Sequence, residues 1–134
     1  MKSRKRLFVF LLVVIVIALL STSALAVYAW GDIDVYLPAH QGDCRTDPVA
    51  RSGSDSDHYC VGIDSISDGF TSVRAWAENW IGTNYSNPYW ILDEQGWDVP
   101  YTTKPSEGTN VHLSLDNPVS TTITPRVTGT WSPY

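Results

Sequence analysis

Methionine occurs only at position 1, phenylalanine only three times and cysteine only twice in this chain of 134 residues. Basic residues are also few. Four of the nine Lys and Arg stand within the first six positions, so from Val27 onward five bases face fourteen acids, a net charge of −9. Such a domain is a poor match for nucleic acid or an anionic cell surface unless a cation intervenes, which sets nucleic acid aside and leaves the membrane a partner only through an uncleaved amino-terminal segment. Two cysteines form neither a four-ligand zinc set nor a C-x-x-C pair. No G-x-S-x-G elbow is present, and His40, His58 and His112 stand in unrelated contexts, so nothing pairs a nucleophile with a base. Asp43, Asp47, Asp55 and Asp57 offer hard oxygen ligands to Ca²⁺, but their D-x-D fragment lacks the rest of an EF-hand loop. A glycosidase needs two carboxylates across a cleft, which a domain of this size rarely forms. The expectation is a protein without catalytic activity, metal or cofactor.

What the chain does have begins at its amino end. Lys2, Arg4, Lys5 and Arg6 precede an apolar run over residues 7–20, and Ala24-Leu25-Ala26 forms a small-x-small cleavage site. Residues 1–26 therefore read as a signal peptide, with cleavage after Ala26 and secretion to the extracellular space. An uncleaved membrane anchor is the alternative, because the apolar character continues weakly toward the length a spanning helix needs. Residues 27–134 are then one exported domain, large enough to bury roughly 65% of its unfolded surface in a single core.

Cys44 and Cys60 both fall in the exported part, and an even count in an oxidising compartment predicts a disulfide between them. Closing such a loop would contribute roughly 3 kcal/mol. It would also anchor residues 40–57, which are rich in Gly, Ser, Asp and Pro and read as one long loop.

Around that loop the chain reads as short strands. Ile33, Val35 and Leu37 alternate with Asp32, Asp34 and Tyr36, and Val111, Leu113 and Leu115 alternate with His112, Ser114 and Asp116. Within residues 59–81, Ser67-Asp68-Gly69 separates two β-rich runs, which predicts a hairpin. The second run also has helical spacing at Phe70, Val73, Ala77 and Ile81, with Gly82 as a cap, but the turn before it favours a strand. A second hairpin is expected from residues 89–92 and 97–102, and residues 120–131, broken by Pro125, predict two short strands or a bulged edge strand. The sum is an all-β domain of about seven to eight strands: a single antiparallel β-sandwich, Ig-like or jelly-roll-like, or a small barrel. The segment NPYW at Asn87 to Trp90 and the V-x-G-x-W at Val127 to Trp131 resemble small exported Gram-positive proteins that carry a domain of unknown function and end in such a strand. The resemblance implies a secreted β-domain, with no activity and no site residues.

Six Trp and seven Tyr, against Phe70 alone as the only Phe after residue 26, give the exported domain large rings that nearly all carry a polar handle. Such rings suit half-wet recognition surfaces. As a strand, the run after Gly69 sets Arg74, Trp76, Glu78 and Trp80 on one face. These four are the expected ligand-binding residues of a non-catalytic recognition domain whose partner is an extracellular carbohydrate or protein. A small antibacterial or toxin-like effector and a protease inhibitor presenting the loop between the cysteines fit export and size equally well.

Overall fold

The computed structural model describes residues 29–53 and 55–134; the expected signal segment and its cleavage site lie outside them. The described residues form nine strands and no helix: β1 Gly31–Tyr36, β2 Asp43–Arg45, β3 Val49–Ala50, β4 His58–Ile66, β5 Ser72–Glu78, β6 Tyr89–Leu92, β7 Gly96–Pro100, β8 Asn110–Asp116 and β9 Arg126–Ser132. They make two antiparallel sheets, here sheet A in the order β1-β9-β4-β7 and sheet B in the order β2-β8-β5-β6, with β3 also paired to β8. Partners nest around the β5–β6 connection: β5 with β6, β4 with β7, β2 with β8, β1 with β9. With the two-residue β3 set aside, this is the strand order of a jelly roll, a two-sheet sandwich.

Alternation explains which way each strand faces. Tyr59, Val61 and Ile63 of β4, Val99 of β7 and Val127 and Trp131 of β9 point inward from sheet A. Val73, Ala75 and Ala77 of β5, Ile91 of β6 and Val111, Leu113 and Leu115 of β8 meet them from sheet B. The Tyr59 hydroxyl, wholly buried, shares a 2.9 Å hydrogen bond with Ser86 Oγ. Burial pushes its pKa up to about 12.

Several expectations are corrected by this topology. The Asp68-Gly69 turn exists, with φ of 62° and 76°, but its two arms do not pair. Residues 67–71 carry the chain from sheet A to sheet B, so β4 and β5 face one another across the core. Both arms are apolar on alternate residues, and burying those faces against each other satisfies the pattern as fully as a hairpin would. The second expected hairpin, β6 with β7, is likewise an arch between sheets. The strand expected after Gly69 does form, over residues 72–78. β9 is a single strand that begins after Pro125 and lies centrally between β1 and β4, not at an edge. Pro125 contributes its carbonyl instead, accepting from Leu37 N at 2.9 Å.

The expected disulfide is absent. Cys44 lies on β2 in sheet B, opposite Leu115 and packed against the core. Cys60 lies on β4 in sheet A, between the inward-facing Tyr59 and Val61, so it points to the outer face. Packed sheets stand about 10 Å apart, and the two side chains leave from different layers, too far and too divergent for an S–S bond. Both are free thiols. Burial, reinforced by Asp43, pushes the Cys44 thiol up to about 11. Burial also raises Cys60, against an opposing hydrogen bond from Tyr134. What anchors residues 40–57 is backbone pairing: β2 and β3 both add to β8, Thr46 N donates to Leu113 O and Arg51 N to Thr109 O, each at 2.9 Å.

Candidate binding face

The outer side of sheet B carries the residues singled out in the sequence. In one row across it lie Asp43, Asp116, Arg74 and Trp90, and in the next Arg45, Ser114 and Trp76. Glu78 and His112 form the row beyond. Arg74, Trp76 and Glu78 are thus brought together, as their alternation predicts. Trp80 is not among them: β5 ends at Glu78, and Trp80 sits in a turn where Asn79 Oδ1 accepts from Ile81 N and Thr83 N. There it is 77% exposed, and only its carbonyl reaches the face, accepting from Arg45 Nη1 at 3.3 Å.

Nor is Trp76 a free platform. It is buried on this outer side, outside the cluster that forms the core between the sheets. Its indole N–H donates to Glu78 Oε2 at 3.2 Å. The same carboxylate accepts from the Ser114 hydroxyl and pairs with the Arg45 guanidinium. Three donors from three strands therefore hold one buried carboxylate, which an isolated charge at that depth would not permit. Arg74 closes a second pair, a two-pronged contact in which Nε donates to Asp116 Oδ1 at 2.9 Å and Nη2 to Oδ2. Both arginines of this face are thus matched by carboxylates.

What remains open is its β6 margin. Trp90, opposite Arg74 on β6, is 54% exposed. It walls a cleft of about 290 Å³ whose other sides come from Asp68, Phe70 and Thr71 of the arch, Ser72 of β5, and Val119 after β8. The cleft is amphipathic: an indole, a phenyl ring and a valine against one carboxylate and two hydroxyls. Trp90 was visible in the sequence as part of a short strand and of the NPYW segment, not as a site residue. The signal that marks it, its place beside Arg74, depends on pairing across the ten residues between β5 and β6.

Elsewhere Arg51, Asp55, Lys104 and Glu107 line a separate pocket, and the histidines stand apart. His58 Nδ1 lies 3.1 Å from Asp57 on the sheet A side, and His112 Nδ1 lies 3.2 Å from Thr46 O on the sheet B side. The hydrogen bond from His58 holds the Asp57 carboxyl below its usual range. Among the described residues no three His, Cys, Asp or Glu side chains converge on a point where a metal ion would fit. Compared with protein-family models, with characterised proteins and with solved structures, the chain matches none.

Proposed function

We propose that the chain is an exported, non-catalytic recognition domain that binds carbohydrate in the Trp90 cleft. The observation that carries this reading is a half-exposed indole forming one wall of a cleft whose rim holds Asp68, Thr71 and Ser72. A sugar ring has an apolar face and a hydroxyl edge, and this pairing of a flat ring with hydrogen-bonding groups complements both. The cleft is at the small end of ligand pockets, which run from about 300 to 1,000 Å³, a size for one or two sugar units. A neutral sugar also suits the electrostatics, since Arg74 is already matched by Asp116 and the net charge disfavours anionic polymers. The non-catalytic part rests on the carboxylates: Asp68 is the only one lining the cleft, whereas glycoside hydrolysis uses a flanking pair. The partner and the export remain linked through the amino-terminal segment, whose signal character puts an extracellular glycan within reach.

The test is calorimetry and glycan pull-down with Trp90→Ala beside the parent protein. Parent protein should bind at least one member of a panel of neutral glycans. Trp90→Ala should lose about 2 kcal/mol or more of that affinity, as truncation of a stacking aromatic does. Binding that survives the substitution unchanged, or a panel that gives none, refutes the reading.

A further inference from the structure

We infer that β6 pairs edge to edge with β6 of a second copy, forming a symmetric dimer with one continuous sheet. Four strands end the two sheets, and three of those margins are guarded. β1 carries Asp32 and Asp34, β7 carries Asp98 and Pro100, and the β2 margin is three residues long with Asp43 and Arg45. Charges, proline and shortness are the usual protections against unwanted pairing. β6, reading Tyr-Trp-Ile-Leu, has no charge, no proline and no glycine, and its Tyr89, Trp90 and Leu92 are all at least 40% exposed.

Its free hydrogen-bonding groups can be assigned. Asp93 N donates to Thr71 O directly opposite, so by the alternation of an antiparallel ladder Ile91 and Tyr89 also bond toward β5. Trp90 and Leu92 then direct their N–H and C=O groups away from the sheet. Among the described residues, no backbone hydrogen bond outside the strand ladders engages them.

Self-pairing about a two-fold axis satisfies these groups in one register. With Ile91 on the axis, Trp90 falls opposite Leu92 of the second copy and Leu92 opposite its Trp90. Those are the residues with outward groups, so all four N–H donors find carbonyls. Shifting the axis to Trp90 would set Leu92 against Pro88, which has no N–H, and bonds would be lost. The chosen register also places the exposed indole against an exposed leucine on the same face, a favourable cross-strand pair. A two-fold contact of this kind is self-complementary and closes on itself. The strand is short and the buried area well below that of a standard interface, so association is expected to be weak. Both Trp90 clefts would open on one side of the dimer.

Sedimentation equilibrium of protein expressed from the full sequence tests this. Between about 1 μM and about 1 mM, the range in which weak complexes form, the average mass should rise from that of one chain toward that of two. Leu92→Lys, which places a charge on the edge, and Leu92→Pro, which removes an outward N–H, should each abolish the rise. Leu92 lines no part of the cleft, so glycan binding by either variant as a monomer should persist. A mass that stays at one chain throughout, or a Leu92→Lys protein that associates like the parent, overturns the proposal.

Discussion

Trp76 and Trp90 stand one row apart on the same side of the same sheet, yet their surroundings are opposite. Trp76 is covered and donates to a buried carboxylate, whereas Trp90 leaves half its surface in solvent. Replacing Trp76 with Ala removes its buried contacts and one of the three donors to Glu78, a loss of about 3–5 kcal/mol by analogy with other large buried aromatics. Against a whole-domain stability of about 5–15 kcal/mol, that is a large fraction. Trp90→Ala should stay within about 0.5 kcal/mol of the parent, as exposed substitutions do. Urea denaturation of the two variants checks the contrast, and equal midpoints would show that the two rings are not buried so differently. At this scale the sequence was informative about direction and silent about depth. Alternation set Arg74, Trp76 and Glu78 on one side of a strand. The groups that share Glu78 with Trp76, Arg45 and Ser114, are delivered by strands more than thirty residues away in either direction.

β4 and β9 approach closely at Gly129. A Cβ built on Gly129 would stand 2.1 Å from the Gly62 carbonyl oxygen, a backbone atom that cannot swing aside. The ladder there also holds one extra residue, Asp64, between the Ile63–Gly129 and Ser65–Thr128 pairs. Such a bulge bends its strand and raises the local twist. Gly129→Ala should force the two central strands apart and cost about 1–3 kcal/mol or more. The melting temperature is expected to fall by at least about 5 °C on the usual scaling for a domain near this size; an unchanged melt would mean the sheet yields at little cost. Strand positions were largely legible from alternation, as β1 and β8 show. Strand partners were not. Asp68-Gly69 supplies the same positive φ whether the arms pair or arch over a core, and local sequence does not distinguish these outcomes. β2 and β3 were hidden for a related reason: three and two residues are too few to display a period, and their pairing is dictated by β8.

For the whole molecule, nested pairing brings the first and last strands of the described residues together. Gly31 lies opposite Trp131, and Ser132 Oγ donates to Ala29 O at 2.8 Å. The outermost pair, β1 with β9, joins residues about a hundred positions apart, which is why no local reading of the sequence could find it. The same arrangement sets the direction in which the cleft faces. Ser67, immediately before Asp68 of the cleft, bonds through its N–H to Arg126 O and through Oγ to Arg126 N, and Arg126 pairs with Tyr36 at the far end of β1. The five steps from Gly31 to Tyr36 cover roughly 17 Å at about 3.3 Å per residue. A chain entering at Ala29 thus meets the sandwich at the end opposite the cleft. Whether the amino-terminal segment is removed or retained as an anchor, the cleft would then be directed away from the point of attachment. Protein immobilised through an extension preceding Ala29 should accordingly bind the glycan found by pull-down with an affinity within about twofold of that in free solution, because rigid-body presentation leaves a distal site unchanged. Surface plasmon resonance against calorimetry makes the comparison. A bulky insertion at Ser120, next to Val119 of the cleft wall, should abolish binding while leaving the melt of the sandwich nearly intact. Binding blocked by the amino-terminal tether but tolerant of the Ser120 insertion would place the site at the other end of the molecule.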